Sequence, residues 1–166
     1  MKRTLLTLAL LAFVPALAVP AQPSSQSINL GTPQTAKAYV AYTELPQTIP
    51  AGKRAAIELR FRVLPGYHVN SHTPTESNLI PTALTLSAAP GVKPGELLYP
   101  VGQPFSFAFD PKEKLSVYAG DFMVRLPVTA APGNHSLDAV LRYQACNNAS
   151  CFPPRTLPVK IPFTAK

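Results

Sequence analysis

The sequence contains no tryptophan, only two cysteines among its 166 residues, and few charged residues, at 14%. Two cysteines allow a single disulfide, which excludes the densely cross-linked scaffolds of many small secreted proteins. Beyond Ala21, no apolar run approaches the roughly 20 residues that a membrane-spanning helix needs. The remainder of the chain is therefore expected to be soluble and not embedded in a membrane.

The first residues have the layout of a secretory signal peptide. Lys2 and Arg3 precede a short apolar run, Leu5 to Leu17, that ends in small residues. A charged start, a short apolar middle and a small-residue cleavage site are typical of such leaders. Cleavage after Ala18 or Ala21 would leave about 145 residues, the length of one domain.

Three segments follow from this layout. Residues 1–21 are predicted to be the signal peptide, residues 22–35 a loose polar tail, and residues 36–166 a single domain that is exported to the periplasm or another extracytoplasmic space. Removal of the leader lowers the formal charge from +7 to +5, because Lys2 and Arg3 leave with it. The other basic residues are scattered, so the charge favours solubility and indicates no nucleic-acid partner.

The hydrophobic pattern predicts an all-β domain. Apolar and polar residues alternate over 55–63, 122–128 and 137–143, as in half-buried strands. Weaker patterns predict strands at 38–43, 67–70, 83–86, 105–109, 114–118 and 156–163. In the last of these, Pro158 and Pro162 take outward positions and predict an edge strand, because proline cannot donate to a ladder. Roughly seven to nine short strands separated by Pro-Gly turns predict an immunoglobulin-like two-sheet sandwich.

The two cysteines, Cys146 and Cys151, have four residues between them. The strand pattern places them at the mouth of a hairpin, close enough to bond, and export permits a disulfide. As a structural staple, the bond would stabilise the fold by only about 2 kcal/mol, because the loop it closes is short. Strained or exposed disulfides, in contrast, exchange readily. The spacing alone leaves open both a staple on a binding module and a redox-active pair.

The histidines offer a third chemistry, that of a metal-handling protein. Two histidines and two cysteines are suitable ligands for zinc or copper. However, a strand end and a turn separate His68 from His72, so the spacing does not place both on one side. We expect His68 to lie beside the cysteines, His72 and His135 to lie in exposed turns, and no metal or other cofactor to be bound.

The residues around the cysteines resemble the N-terminal domain family of the thiol:disulfide interchange protein DsbD. The run Tyr143-Gln144-Ala145-Cys146 is similar to the family's Tyr-Gln-x-Cys strand end, and Cys151-Phe152-Pro153-Pro154 is similar to its Cys-aromatic-Pro-Pro segment. The resemblance extends over about residues 36–163. Supporting segments occur in the same order, at 66–70, 79–82, 99–100 and 117–120.

The resemblance implies an immunoglobulin-like domain with thiol:disulfide interchange, or protein-disulfide reductase, activity. Carried over by position, Cys151 would form a mixed disulfide with a partner, and Cys146 would resolve it. Reducing equivalents would come from the thioredoxin-like domain of a membrane electron transporter. They would pass to exported disulfide isomerases or cytochrome c maturation proteins.

The family also shields its disulfide with an aromatic residue on a cap loop. Tyr99 is the first match for this cap residue, and Phe105 is the second. The other expected neighbours of the pair are His68, Asn70, Tyr143 and Gln144. This chain departs from the best-known members in having four rather than five residues between the cysteines. It also lacks the membrane segments and the C-terminal thioredoxin domain of the full-length protein, so a free-standing form with a separate electron donor is expected.

Overall fold

The computed structural model describes residues 38–166, in which the chain forms twelve strands and no helix. The predicted signal peptide and tail, residues 1–35, lie outside the described residues. The strands are β1 (Val40–Thr43), β2 (Gln47–Ile49), β3 (Ala55–Val63), β4 (His68–Asn70), β5 (Ala83–Leu86), β6 (Val92–Pro94), β7 (Gln103–Phe107), β8 (Asp110–Tyr118), β9 (Asp121–Ala130), β10 (Gly133–Tyr143), β11 (Ala145–Cys146) and β12 (Arg155–Ala165).

These strands form three four-stranded sheets. The first has the order β1-β3-β9-β6, the second β2-β12-β10-β5, and the third β11-β4-β8-β7. The buried faces of the first two sheets supply most of one hydrophobic core. The prediction of an all-β, immunoglobulin-like sandwich is therefore confirmed. The third sheet, which carries Cys146, was not predicted as a separate unit.

The core follows the alternation of the sequence. In β3, Ile57, Leu59, Phe61 and Val63 are buried, and the intervening residues are partly or fully exposed. Phe61 stacks on Phe122 of β9 with ring centroids 5.2 Å apart. Burial of each such side chain stabilises the fold by about 1.5–3 kcal/mol, before the entropy of ordering is subtracted. Hydrophobic burial thus fixes which face of each long strand points inward.

The strand β12 is an edge strand over only part of its length. It pairs with β10 throughout, and Phe163–Ala165 also pair in parallel with β2. Pro158 and Pro162 lie before this parallel segment, in the part of β12 that has no second neighbouring strand. The edge-strand prediction is therefore confirmed for the first part of β12 and wrong for its end. The partner β2 has three residues, which is too short to show an alternating pattern.

Between residues 38 and 166 there is no helix of the length and apolarity needed to cross a bilayer.

Candidate functional site

The two cysteines face each other across a tight turn that follows β11. The backbone N–H of Phe152 donates to the carbonyl of Ala145 (2.8 Å), and that of Asn147 donates to the carbonyl of Ser150 (2.9 Å). The Asn147 Oδ1 accepts from the backbone N–H groups of Ala149 and Ser150, both at 2.8 Å. An asparagine side chain that bonds its own downstream backbone is a common turn-stabilising device. These bonds hold the cysteines at directly opposed positions.

Cys146 and Cys151 form a disulfide, with their Cα atoms 3.9 Å apart. The predicted hairpin placement and bonding are therefore confirmed. The two ends of the bond differ in exposure, because Cys146 is 0% exposed whereas Cys151 lies on the surface. A thiolate that attacks a disulfide must reach one of its sulfurs. Only the Cys151 end is open to an incoming protein thiol.

His68 lies on the other side of Cys146. In the pairing of β4 with β11, His68 is directly opposite Cys146, and Cys146 is in turn bridged to Cys151. Directly opposed residues of antiparallel strands project from the same face, with Cβ atoms about 4.5–5.5 Å apart. His68, Cys146 and Cys151 therefore form one row of side chains, with Cys146 in the middle.

The imidazole of His68 is buried without a hydrogen bond at one nitrogen. The residue is 3% exposed, and among residues 38–166 its Nε2 has no hydrogen-bond partner. Burial lowers the pKa of His68 below its ordinary value, because a desolvated imidazolium is unfavourable. The ring is therefore neutral at neutral pH.

Aromatic residues of the hairpin of β7 and β8 pack on His68, at one end of this row. The ring centroid of Phe105, in β7, lies 3.9 Å from that of His68, and the centroid of Phe107 lies 6.0 Å from it. Phe107 also stacks on Phe109, which is 71% exposed. In the sheet order β8 separates β7 from β4, so the Phe105 side chain reaches past β8 to contact His68. The hairpin of β7 and β8 thus packs on His68, the residue paired with Cys146.

Tyr99 makes different contacts. Its hydroxyl accepts from the backbone N–H of Leu84 (2.8 Å), and its ring stacks on His72 with centroids 3.7 Å apart. The Tyr118 hydroxyl donates to the carbonyl of Pro100 (2.9 Å), which anchors the same segment. Burial raises the pKa of Tyr99, so its hydroxyl stays protonated. Of the two aromatic residues matched to the cap, Phe105 is the one that lies against His68.

Gln144 connects β4 to the residue that follows Cys151. Asn70 Nδ2 donates to the carbonyl of Ile80 (3.0 Å) and to Gln144 Oε1 (3.4 Å). The Gln144 Nε2 in turn donates to the carbonyl of Phe152 (3.2 Å). Asn70 and Gln144 thus link β4 to the backbone of Phe152, the residue that follows Cys151.

Tyr143 supports the same loop from the core side. The side chain is buried, and its hydroxyl accepts from the backbone N–H of Tyr39 at 3.2 Å. The Tyr39 ring stacks on Phe152 with centroids 4.9 Å apart, and Tyr67 meets Phe152 edge-on at 5.9 Å. The residue next to Cys151 is thus held by aromatic packing, whereas Cys151 itself stays exposed.

The remaining histidines lie away from the row. His72 is exposed in the bend after β4, as predicted. His135 was predicted in an exposed turn, and this is wrong, because β10 begins at Gly133 and includes it. Its ring stacks on Phe163 at 5.2 Å. Within residues 38–166 no three potential metal ligands gather at one place.

A substitution at Gly102 is expected to displace the hairpin of β7 and β8. Gly102 precedes β7, and a Cβ added there would lie 2.7 Å from the Cβ of Ser71 and closer still to the Oγ of Ser116. Atoms of this kind do not approach so closely, so Gly102→Ala must shift the start of β7. We expect a loss of about 1–3 kcal/mol in the free energy of unfolding, measured by urea denaturation.

The matched control is the double variant in which Ser116→Ala accompanies Gly102→Ala. Removal of the Ser116 hydroxyl relieves the shorter of the two contacts. Recovery of part of the lost stability would therefore identify close packing as the cause. A Gly102→Ala protein with an unchanged unfolding midpoint would contradict this packing.

The family described as "Thiol:disulfide interchange protein DsbD, N-terminal" matches residues 35–161. None of the curated proteins matches. Among solved structures, the reduced N-terminal domain of Neisseria meningitidis DsbD is 22% identical, with 69% of this chain and 82% of that chain covered and a TM-score of 0.45.

Two further solved structures are similar. The complex between the DsbD N-terminal and the PilB N-terminal domains from Neisseria meningitidis matches at 21% identity, with 80% of this chain and 87% of that chain covered and a TM-score of 0.46. The N-terminal periplasmic domain of ScsB from Proteus mirabilis matches at 12% identity, with coverages of 74% and 44% and a TM-score of 0.49.

Proposed function

Because the chain belongs to the family of the N-terminal domain of the thiol:disulfide interchange protein DsbD, we propose that it relays reducing equivalents between proteins outside the cytoplasm. The reaction is thiol–disulfide exchange at Cys146 and Cys151. The observation that carries the proposal is the disulfide itself, which joins a fully buried cysteine to an exposed one at a hairpin tip. The bond is thus open to a partner at one end only.

The difference in exposure supports a different role for each cysteine. Cys151 is the cysteine that a partner reaches, so a donor thiolate attacks its Sγ, the bond to Cys146 breaks, and a mixed disulfide forms. A second donor thiol then releases the protein in its reduced form. In the opposite direction, Cys151 attacks an acceptor disulfide, and Cys146 resolves the mixed disulfide. Each complete cycle moves two electrons and two protons.

We propose Phe105, rather than Tyr99, as the cap residue of the pair. Its ring packs on His68, the direct neighbour of Cys146, whereas Tyr99 packs on His72 and bonds Leu84. The cap therefore covers the resolving cysteine and leaves the attacking cysteine accessible.

The proposed partners are proteins on both sides of the relay. A thioredoxin-like domain of a membrane electron transporter is the proposed donor, and exported disulfide isomerases or cytochrome c maturation proteins are the proposed acceptors. We place the protein in the periplasm, with residues 1–21 as a cleaved signal peptide and residues 36–166 as the functional domain. Family membership and the exposure of Cys151 support these assignments.

Electron transfer from a reduced thioredoxin tests the proposal. The oxidised protein is mixed with a stoichiometric amount of reduced thioredoxin, and the reaction is quenched with acid. The proteins are then unfolded and alkylated, and their masses are measured by mass spectrometry. We expect Cys146 and Cys151 to become alkylated as the thioredoxin becomes oxidised, within seconds to minutes. A disulfide that survives this treatment in the folded protein would contradict the proposal. The matched control is the same mixture with the thioredoxin oxidised beforehand.

A further inference from the structure

We propose that His68 is the proton acceptor for the Cys146 thiol when Cys146 resolves a mixed disulfide. This inference rests on the proposed function and adds a residue and a proton path to it. It also distinguishes two steps of the reaction, because His68 would serve the second attack, by Cys146, and not the first attack, by Cys151.

The first argument is the need for a base. A thiolate, not a thiol, attacks a disulfide, and an ordinary cysteine thiol has a pKa of about 8.5. Cys146 is 0% exposed, and burial disfavours its charged form further. At neutral pH, at most about 3% of such a group is ionised. Efficient resolution therefore requires a group that removes the proton inside the protein.

The second argument is placement. The register of β4 with β11 sets His68 directly opposite Cys146, and the bridge to Cys151 lies on the other side of Cys146. Cys146, which must lose a proton, thus lies between His68 and Cys151 in this row. In the described part of the chain, His68 is the titratable side chain that shares this row with the cysteines.

The third argument is the unsatisfied nitrogen. Nε2 of His68 is buried and has no hydrogen-bond partner among residues 38–166 while the cysteines are bonded. A buried polar atom without a partner is costly and often marks a working site. A disulfide has no proton to donate. Once it is reduced, the Cys146 S–H becomes a donor on the same face of the sheet, and a neutral imidazole nitrogen is its natural acceptor.

The surroundings keep His68 neutral and therefore able to accept a proton. From β7 it is faced by Phe105 and Phe107, which do not titrate, and from β11 by Cys146. On β8, Tyr118 is paired with the neighbouring Val69 and therefore projects from the other face of the sheet. Burial raises the pKa of Tyr118, so it too carries no charge at neutral pH.

The proton and electron balance of the step is complete. The partner sulfur is bonded to Cys151 in the mixed disulfide. His68 Nε2 takes the proton of Cys146, whose thiolate attacks the Sγ of Cys151 and forms the intramolecular disulfide. The bond from Cys151 to the partner breaks, and the partner leaves as a thiolate. The imidazolium then gives its proton to that thiolate or to solvent, which restores neutral His68.

The test uses the reduced protein and 5,5′-dithiobis(2-nitrobenzoate) in a stopped-flow spectrometer. Attack by Cys151 releases one coloured thionitrobenzoate and leaves a second on the protein, which the attack by Cys146 then releases. The two phases therefore report the two steps separately. For His68→Gln at pH 7 we expect an unchanged first phase and a second phase slowed about 30-fold or more, the inverse of the thiolate fraction.

The matched control is His135→Gln, which replaces a partly buried histidine at the start of β10 that stacks on Phe163. It is expected to leave both phases unchanged. A His68→Gln protein with an unchanged second phase would overturn the inference. Equal slowing of both phases would also overturn it, because it would assign His68 a purely structural role.

The pH profile of the unchanged protein gives a test that needs no variant. With His68 as base, the second-phase rate constant should level off above the lowered pKa of His68, so that it is nearly flat between pH 7 and 8. Without a base, it should rise about tenfold per pH unit across this range, because an ordinary thiol has a pKa of about 8.5 and burial does not lower it, and this rise would overturn the inference. Absence of any second phase would overturn the proposed function as well.

Discussion

A Cys146→Ala variant is expected to accumulate a mixed disulfide on Cys151, whereas a Cys151→Ala variant is expected to form almost none. The physical reason is exposure, because Cys151 lies on the surface and Cys146 is fully buried. With excess oxidised glutathione at neutral pH, we expect Cys151 to be glutathionylated at least about a hundredfold faster than Cys146, since reactivity follows thiolate character and access. Intact-protein mass spectrometry over time gives both rates.

The two variants are matched controls for each other. Both lose the same short-loop disulfide, which costs about 2 kcal/mol, so any general loosening affects them equally. Similar rates of glutathionylation would show that burial does not protect Cys146. A faster reaction at Cys146 would reverse the roles that we propose for the two cysteines.

Removal of the Phe105 ring is expected to expose the resolving cysteine. In the Cys151→Ala background, Phe105→Ala should speed alkylation of Cys146 by iodoacetamide at least about tenfold. A tenfold faster rate corresponds to a decrease of about 1.4 kcal/mol in the free energy needed to expose Cys146. This is less than the roughly 3–5 kcal/mol cost of truncating a fully buried phenylalanine. The reason is the packing of Phe105 on His68, at 3.9 Å between ring centroids. The rate is measured by quenched labelling and peptide mapping.

Phe109→Ala in the same background is the matched control. Phe109 lies just beyond the end of the same strand, is 71% exposed, and stacks on Phe107 rather than on His68. Its truncation should leave the alkylation rate of Cys146 unchanged. Equal acceleration by both substitutions would mean that the hairpin as a whole loosens. No acceleration by Phe105→Ala would remove Phe105 from the cap.

The long strands were predictable because their buried apolar residues recur at every second position. The alternation in 55–63 and 137–143 matches the buried positions of β3 and β10. β2 and β6, of three residues each, show no period and were missed, whereas the equally short β4 was predicted. The ends of the predicted strands also moved, because pairing with a neighbour extends a strand past its apolar run. His135 was misplaced for this reason.

The cysteine pair was predictable from local spacing, but its surroundings were not. Cys146 and Cys151 are five positions apart, so a hairpin between them is a short-range inference. The pairing of His68 with Cys146 joins residues far apart in the chain. The register of this pairing depends on how β4 pairs within the third sheet. No local sequence pattern predicts that pairing.

The cap residue posed a similar difficulty. Tyr99 and Phe105 are close in sequence, and both precede the long strand β8. Which of them reaches the pair depends on the path of the hairpin over the sheet. That path depends on the close approach of Gly102 to Ser71 and Ser116, a contact visible only in three dimensions.

The most direct test of the redox function is the reduction potential of the Cys146–Cys151 disulfide. The protein is equilibrated in buffers of graded thiol–disulfide ratio, and the fraction of reduced cysteines is read by alkylation and mass spectrometry. A potential well above about −300 mV would mark an exchange-competent bond, as we predict. A potential below that value, together with undisturbed folding of Cys151→Ala, would contradict the account and leave a structural staple on a binding module.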